Sequence, residues 1–393
     1  MIRRPGVLGG TSLAVFLAIV HFVNDAITAM LGALLPTLQA RFDLGPVLLA
    51  LIVAVYSISS SVTQPFFGAL AEDRSLRLVG AAGVLLASLF LSLIGVAPAL
   101  VTVFALLIIG GMGSAALHPV GTAVAGGPAV PNRTLGVGLF TAGGMVGFAL
   151  GPVLILAIVS AFGVEATPWL MAPGIVLAAL VFALLPDWEP HGRRPLRALF
   201  QVRLLRGPVG GLTLASSLAS LAFVTFTSSV PIWLVNKHGL PTDDGLIGWT
   251  LAAFSLAAGL GSLLGGVLAP RLGRRPVLVS SLGVASVPLI AVLGLEPGGA
   301  PYFIATILAG ALLYVGSPIA VVLAQDLAPG APASAAGMVL GVSAALAGAL
   351  YVALGWLQEV VGVGGGMLVG FALASPAALI VLAVLRRQPE AGR

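Results

Sequence analysis

The chain has 393 residues, of which 59% are hydrophobic and only 8% charged, with a mean hydropathy of +1.13. No water-soluble domain of that size has such a composition, so the chain reads as an all-α polytopic membrane protein. Its net charge of +5 sits in short loops and reports topology rather than nucleic-acid binding, and with no cysteine it has neither disulfides nor thiolate metal sites.

The start, Met1-Ile2-Arg3-Arg4-Pro5, is basic and leads into an apolar stretch too long for a signal peptide, so it is read as a retained first span. Twelve apolar segments are expected, at about 11–38, 46–71, 77–97, 99–126, 133–160, 167–186, 208–235, 244–270, 275–295, 301–326, 332–357 and 363–386. One long polar stretch, Pro186 to Gly207, interrupts them and carries His191, Arg193, Arg194, Arg197, Arg203 and Arg206. The expected organisation is an N-terminal six-helix bundle (1–186), a basic cytoplasmic linker (187–207) and a C-terminal six-helix bundle (208–393).

With the N-terminus inside, 16 of the 18 Lys and Arg fall on cytoplasmic segments, leaving only Arg41 and Lys237 outside. A wrong span count would scramble that split, so it supports twelve spans, cytoplasmic N- and C-termini and an inner-membrane location.

The first span holds His21-Phe22-Val23-Asn24-Asp25. His21 and Asp25 stand four residues apart, on one helix face. An ionised carboxylate near mid-membrane costs about 3 kcal/mol or more unless it meets a polar cavity or a partner. Three readings follow: a protonated Asp25 bonded to a neighbouring helix, a proton or substrate site on a transport path, or a span placed wrongly along the chain.

The halves resemble each other. Gly68-Ala69-Leu70-Ala71 ends the second span and Gly266-Val267-Leu268-Ala269 ends the eighth, 198 residues later. His118-Pro119 in the fourth span matches Ser317-Pro318 in the tenth at an offset of 199, as Gly138 matches Gly337. A near-constant offset points to duplication of a six-helix unit, an architecture of secondary transporters.

Several motifs then point one way. Gly266, Arg271, Gly273, Arg274 and Arg275 after the eighth span resemble the G-x-x-x-D-R-x-G-R-R loop of the major facilitator superfamily, with Pro270 in place of the acid. The first-half copy is weaker: Gly68, Glu72 at the acid position, Asp73, Arg74 and Arg77. In the family this loop is tied to the conformational cycle; a basic stop-transfer loop is the plainer reading of either copy alone. Gly138, Gly147, Gly151 and Pro152 in the fifth span resemble the family's antiporter signature, although a small-residue packing face would look the same. Asn24-Asp25, His118-Pro119 and Gln325-Asp326-Leu327-Ala328-Pro329-Gly330 resemble the fosmidomycin-resistance, drug-exporter branch, with Val120 where that branch usually has an acid.

The resemblance implies a major facilitator fold whose first, fourth, seventh and tenth spans line a cavity, with His21, Asp25 and His118 as a proton-coupling cluster. For His118 a structural hydrogen bond is the competing reading. Asn24, Asp25, Thr227, Trp233 and Tyr314 are the substrate-binding candidates, packing or interfacial anchoring being the plainer reading of the aromatics. No Arg or Lys lies deep in a span, which argues against a strongly anionic substrate and leaves neutral, lipophilic or cationic compounds.

The expected function is therefore proton-coupled export of a small amphipathic or drug-like compound by a monomer in the lipid bilayer. No cofactor, no metal and no enzymatic role are expected, because no metal-ligand spacing, nucleophile motif or phosphate loop is found. The alternatives are an uncoupled facilitator or importer of a small metabolite, and a non-transporting ligand sensor.

Overall fold

The computed structural model describes residues 2–4, 8–73, 75–188 and 202–387. Glu72, Asp73 and Arg74, together with most of the basic linker and its His191, Arg193, Arg194 and Arg197, lie outside what is described of side chains or backbone.

The described chain is nearly all helix. Eleven continuous segments are long and apolar enough to cross a membrane: Gly10–Phe42, Pro46–Ala71, Leu76–Val96, Leu100–Ala125, Leu135–Phe162, Val164–Leu184, Pro208–His238, Gly245–Leu272, Arg274–Gly294, Ala300–Leu327 and Ser334–Arg386. The last contains 53 residues. As one straight helix it would run ~80 Å, well over twice the hydrocarbon thickness of a bilayer. It is instead broken at Gly362, whose φ of 78° and ψ of 163° leave the helical region. Gly366 packs on the Gln358 side chain and Gly370 on Leu354, and each pair is centred on Gly362. That is the register of an antiparallel hairpin, so the segment makes two passes and the total is twelve. We number these passes one to twelve in chain order.

By internal contacts the helices form two compact units, one of residues 1–34 and 55–199, the other of 35–54 and 200–393. The second therefore includes the end of the first span and the start of the second span, where Asn236 Nδ2 donates to Gln39 Oε1 at 3.2 Å and Gly355 packs on Pro46 and Ala50. In the first unit, Ile2–Arg4 pairs antiparallel with Asp187–Trp188, the one strand ladder among the described residues. The ladder puts the entry to the first span beside the exit of the sixth, as an even number of passes requires.

Each unit has its own apolar core. One gathers Leu13, Leu17, Leu117, Val120, Phe140 and Val181; the other gathers Leu212, Leu278, Leu323, Met338 and Val381. The fifth span lies parallel to the first at backbone contact. A Cβ on Gly143, Gly147 or Gly151 would stand 2.2, 2.1 and 2.2 Å from the carbonyl oxygens of Ala18, Phe22 and Ala26. The three pairs keep one sequence interval, the register of parallel helices sharing an i, i+4 ridge. Gly138, at the other end of the motif, has nothing within 4 Å of such a Cβ.

Two substitutions at this helix pair separate packing from composition. Gly147→Ala should lower stability in detergent by about 1–3 kcal/mol, because backbone cannot give way to the new methyl. Gly138→Ala should be neutral or slightly stabilising, by up to ~1 kcal/mol. Equal thermal shifts for the two variants would contradict the described contact. At the last hairpin, Gly362→Val should cost about 1–3 kcal/mol through its positive φ, read in the same assay.

Candidate functional site

The glycine ridge positions the first span's polar residues. Gly147 and Gly151 meet Phe22 and Ala26, the residues on either side of Asn24 and Asp25. Gly144 lies under the His21 imidazole, where a Cβ would be 2.4 Å from the ring. Phe140, one turn earlier, stacks on that ring at a centroid distance of 4.0 Å and turns its carbonyl to His21 Nδ1 at 2.7 Å. The fourth span, continuous through Pro119, delivers His118 and Ser114 from another side.

The result is a compact cluster within the first unit. Asp25 Oδ2 lies 3.2 Å from His21 Nε2, Asp25 Oδ1 lies 3.7 Å from His118 Nε2, and the two Nε2 atoms are 3.3 Å apart. Asn24 Nδ2 donates to Asp25 Oδ1 at 2.9 Å and to Ser114 Oγ at 3.1 Å. His21 and Asn24 are buried, whereas the side chains of Asp25 and His118 are 15% and 30% exposed. The carboxylate thus has partners on every side and retains an opening.

The backbone settles where the imidazole protons are. Carbonyl oxygens only accept, so His21 Nδ1–H donates to Phe140 O and His118 Nδ1–H donates to Ser114 O, the latter also at 2.7 Å. Both Nε2 atoms are then bare in the neutral rings, yet they face each other at hydrogen-bond distance. Lone pairs do not attract, so this spacing is satisfied when one Nε2 carries a proton and is an imidazolium beside the carboxylate. The arrangement can hold and exchange one proton among three side chains. These ligand atoms lie within 4.8 Å of one another, a donor set that could hold a small cation as well. Sequence spacing gives no sign of such a set, because its third member comes from a different helix.

The other sequence candidates separate. Thr227 donates to its own helix at Phe223 O, 3.0 Å away. Trp233 is buried near the end of the seventh span, edge-on to His238 and 5.5 Å from Lys237 Nζ. Only Tyr314, among the second-half candidates, lines a described cavity. Of the loop motif, Gly68 packs on Pro119 and the Arg77 guanidinium lies 4.9 Å over the Phe182 ring. In the second copy Gly273 starts the ninth span with φ 88°, and Arg274 pairs with Asp326 Oδ2 at 2.5 Å. The acid missing from that loop is thus supplied by the tenth span. Arg271 is exposed, and Gly266 has open space where a Cβ would be.

Sequence reasoning overlooked Ser114, Phe140, Gly143, Gly144 and Tyr56, whose phenol interacts with Thr28 and Ser114 next to the cluster. The recurrence of glycine at 143, 147 and 151 was a usable signal for the ridge.

The family model of the Major Facilitator Superfamily matches residues 17–331, most of the chain. The chain belongs to the Major Facilitator Superfamily. Relatives within this superfamily include the fosmidomycin resistance protein of Escherichia coli (strain K12), 26% identical over 368 residues, covering 90% of this chain and 86% of the relative. The transporter YfnC of Bacillus subtilis (strain 168), uncharacterized and of the same superfamily type, is 27% identical over 384 residues, covering 92% and 90%. Similar folds are found in a bacterial homologue of the human lysosomal transporter Spinster (TM-score 0.81, 14% identity, 98% of each chain) and in the nucleoside transporter NupG (TM-score 0.77, 14% identity, 95% of this chain and 99% of that one). The protein is a membrane transporter of the major facilitator type.

The tautomers give this site a direct test. In protein labelled with ¹⁵N-histidine, the neutral rings of His21 and His118 should both show Nδ1–H. A neutral Nε2–H ring at either position would remove the basis for the shared proton.

Proposed function

We propose that this transporter exports a small amphipathic compound in exchange for protons, and that Asp25 is the coupling acid with His21 and His118 as its proton partners. The observation that carries the reading is the meeting of two Nδ1-bound imidazoles and one carboxylate at a common point. A proton entering there converts an ion pair and its neighbour into a differently charged cluster. Such a change alters the energy of exposing the site to one side of the membrane or the other. Alternating access then follows if the two six-helix repeats, 1–186 and 208–393 joined through 187–207, rock about the substrate. The charge asymmetry of the loops supports placing both termini in the cytoplasm and the protein in the inner membrane.

The likeness to a fosmidomycin resistance protein supports an export direction, although it does not extend to the substrate. Fosmidomycin is an anion, and among the described residues no Arg or Lys lies deep in a span to clamp one. Asp25, with its opening, is the first-unit group best placed to meet a substrate; Asn24 is buried and bonded to Asp25 and Ser114, Thr227 is bonded to its own helix and Trp233 is held at a helix end, so these three are the weaker candidates.

Transport is the test. In a host stripped of its own exporters, the wild type should confer resistance to at least one compound of a broad toxic panel, and an uncoupler should abolish its efflux. Asp25→Asn should return efflux to the level of the empty host while the protein still reaches the membrane. Full uncoupler-sensitive efflux by Asp25→Asn would refute the coupling role. Orientation is tested separately in this cysteine-free chain: Arg41→Cys should react in intact cells with a membrane-impermeant maleimide, and Arg133→Cys should not.

A further inference from the structure

Among the described residues the second unit has no counterpart of the Asp25 cluster, yet it holds a cavity of about 720 Å³, counting its open mouth, among the seventh, ninth, tenth, eleventh and twelfth spans. Two of those helices are irregular at its wall. The tenth keeps helical φ and ψ at Gly316 but loses its regular hydrogen bonding there, between Ala300–Val315 and Ser317–Leu327. The eleventh passes through a π-helical turn at Met338–Val342, and Val339 and Leu340 from that turn line the cavity. Irregular backbone at membrane depth is tolerated where it is buried in protein or lines a cavity, and π turns gather at functional sites.

The hydroxyls of the seventh span differ in how they are satisfied. Thr213, Ser217, Thr225 and Thr227 each donate to a carbonyl of their own helix, which is how a hydroxyl is satisfied in a membrane. Ser216 and Ser220, one turn apart, make no such bond among the described residues, and both line the cavity. Across from them Ser317 and the Tyr314 phenol also line it and likewise have no hydrogen-bond partner among the described residues. The rest of the wall is apolar, with Leu212, Leu278 and Leu282 among its members, apart from Ser343, whose hydroxyl donates to Val339 O of its own helix, and it carries no carboxylate, guanidinium or ammonium.

We infer that this cavity binds an uncharged amphiphile, with hydroxyl or carbonyl oxygens set against Ser216, Ser220, Tyr314 and Ser317 and an alkyl or ring portion against the leucines. Four free hydroxyls can each donate and accept, so they fit a neutral head rich in oxygen. A charged head would be desolvated there without a counter-ion. As the place where the transporter holds its substrate, the assignment rests on the export reading above; as a binding site it stands without it.

The absence of cysteine makes the test clean. Ser220→Cys and Ser317→Cys are close in size to the wild type and put a single thiol on each side of the cavity. Leu214→Cys, on an exposed face of the seventh span and not in the cavity wall, is the control. Each purified variant, in nanodiscs, is treated with N-ethylmaleimide alone and with three probes of equal tail length: monooctanoylglycerol, octylammonium and octanoate. Monooctanoylglycerol should slow labelling of both cavity cysteines severalfold and leave Leu214→Cys unchanged, while the charged probes have little effect. Equal protection by octylammonium or octanoate would overturn the class of ligand. No protection, or protection of Leu214→Cys as well, would overturn the site, as would cavity thiols that the reagent never reaches. Selective protection in a protein that exports nothing would leave this site standing and remove the export reading instead.

Discussion

A carboxylate inside a membrane has to be surrounded before it can be useful, and the surroundings of Asp25 begin with backbone rather than charge. The fifth span can reach His21 only because Gly143, Gly147 and Gly151 let it touch the carbonyls of the first span. That approach brings the Phe140 carbonyl onto His21 Nδ1 and lays the ring on Gly144. With Nδ1 committed, the bare Nε2 points at Asp25. Filling the space that these glycines leave at the ridge would therefore disturb the cluster without touching a titrating group. Helix association in lipid draws on close packing of small residues, so one glycine stripe serves both the fold and the site.

Much of this was legible in the sequence because a bilayer is a strict solvent. It demands apolar runs of fixed length, puts basic residues on one side, and makes a lone Asp25 conspicuous. The repeat was legible because duplication preserves spacing. The face each residue takes was not legible. Gly138 belongs to the same motif as Gly147 and Gly151 yet packs on nothing, and periodicity in an almost uniformly apolar helix gives no direction to distinguish them. Thr227 and Trp233 looked suited to a ligand by residue type alone. The structure commits one to its own helix and the other to a helix end, both local arrangements that composition does not reveal. The twelfth pass was legible in hydropathy, whereas continuous helix alone merges it with the eleventh until the φ of Gly362 is considered.

Loop and span also share their charged groups in a way that spacing hides. The second-half loop motif has Pro270 where its acid is expected, yet Arg274 is paired, because Asp326 closes the tenth span within reach. The motif's electrostatic content is preserved in space after being lost in sequence. A half-exposed pair of this kind contributes little to stability, so its value lies in orienting the ninth span against the tenth.

Duplication supplied the same helix twice, and the two copies have taken different chemistry at one position. His118-Pro119 and Ser317-Pro318 are repeat equivalents. In the fourth span the helix runs unbroken through the proline, and Ser114 O holds His118 by Nδ1 against Asp25. In the tenth span Gly316 precedes the serine, the regular helical hydrogen bonding is interrupted there although Gly316 keeps helical φ and ψ, and Ser317 faces a cavity instead of a charge. A titrating ring needs a rigid support, since a proton exchanged over 3.3 Å is lost if the atoms drift apart by a further ångström. The two copies differ just ahead of these two dipeptides as well, with Gly316 standing where the first copy has Leu117 packed into the core.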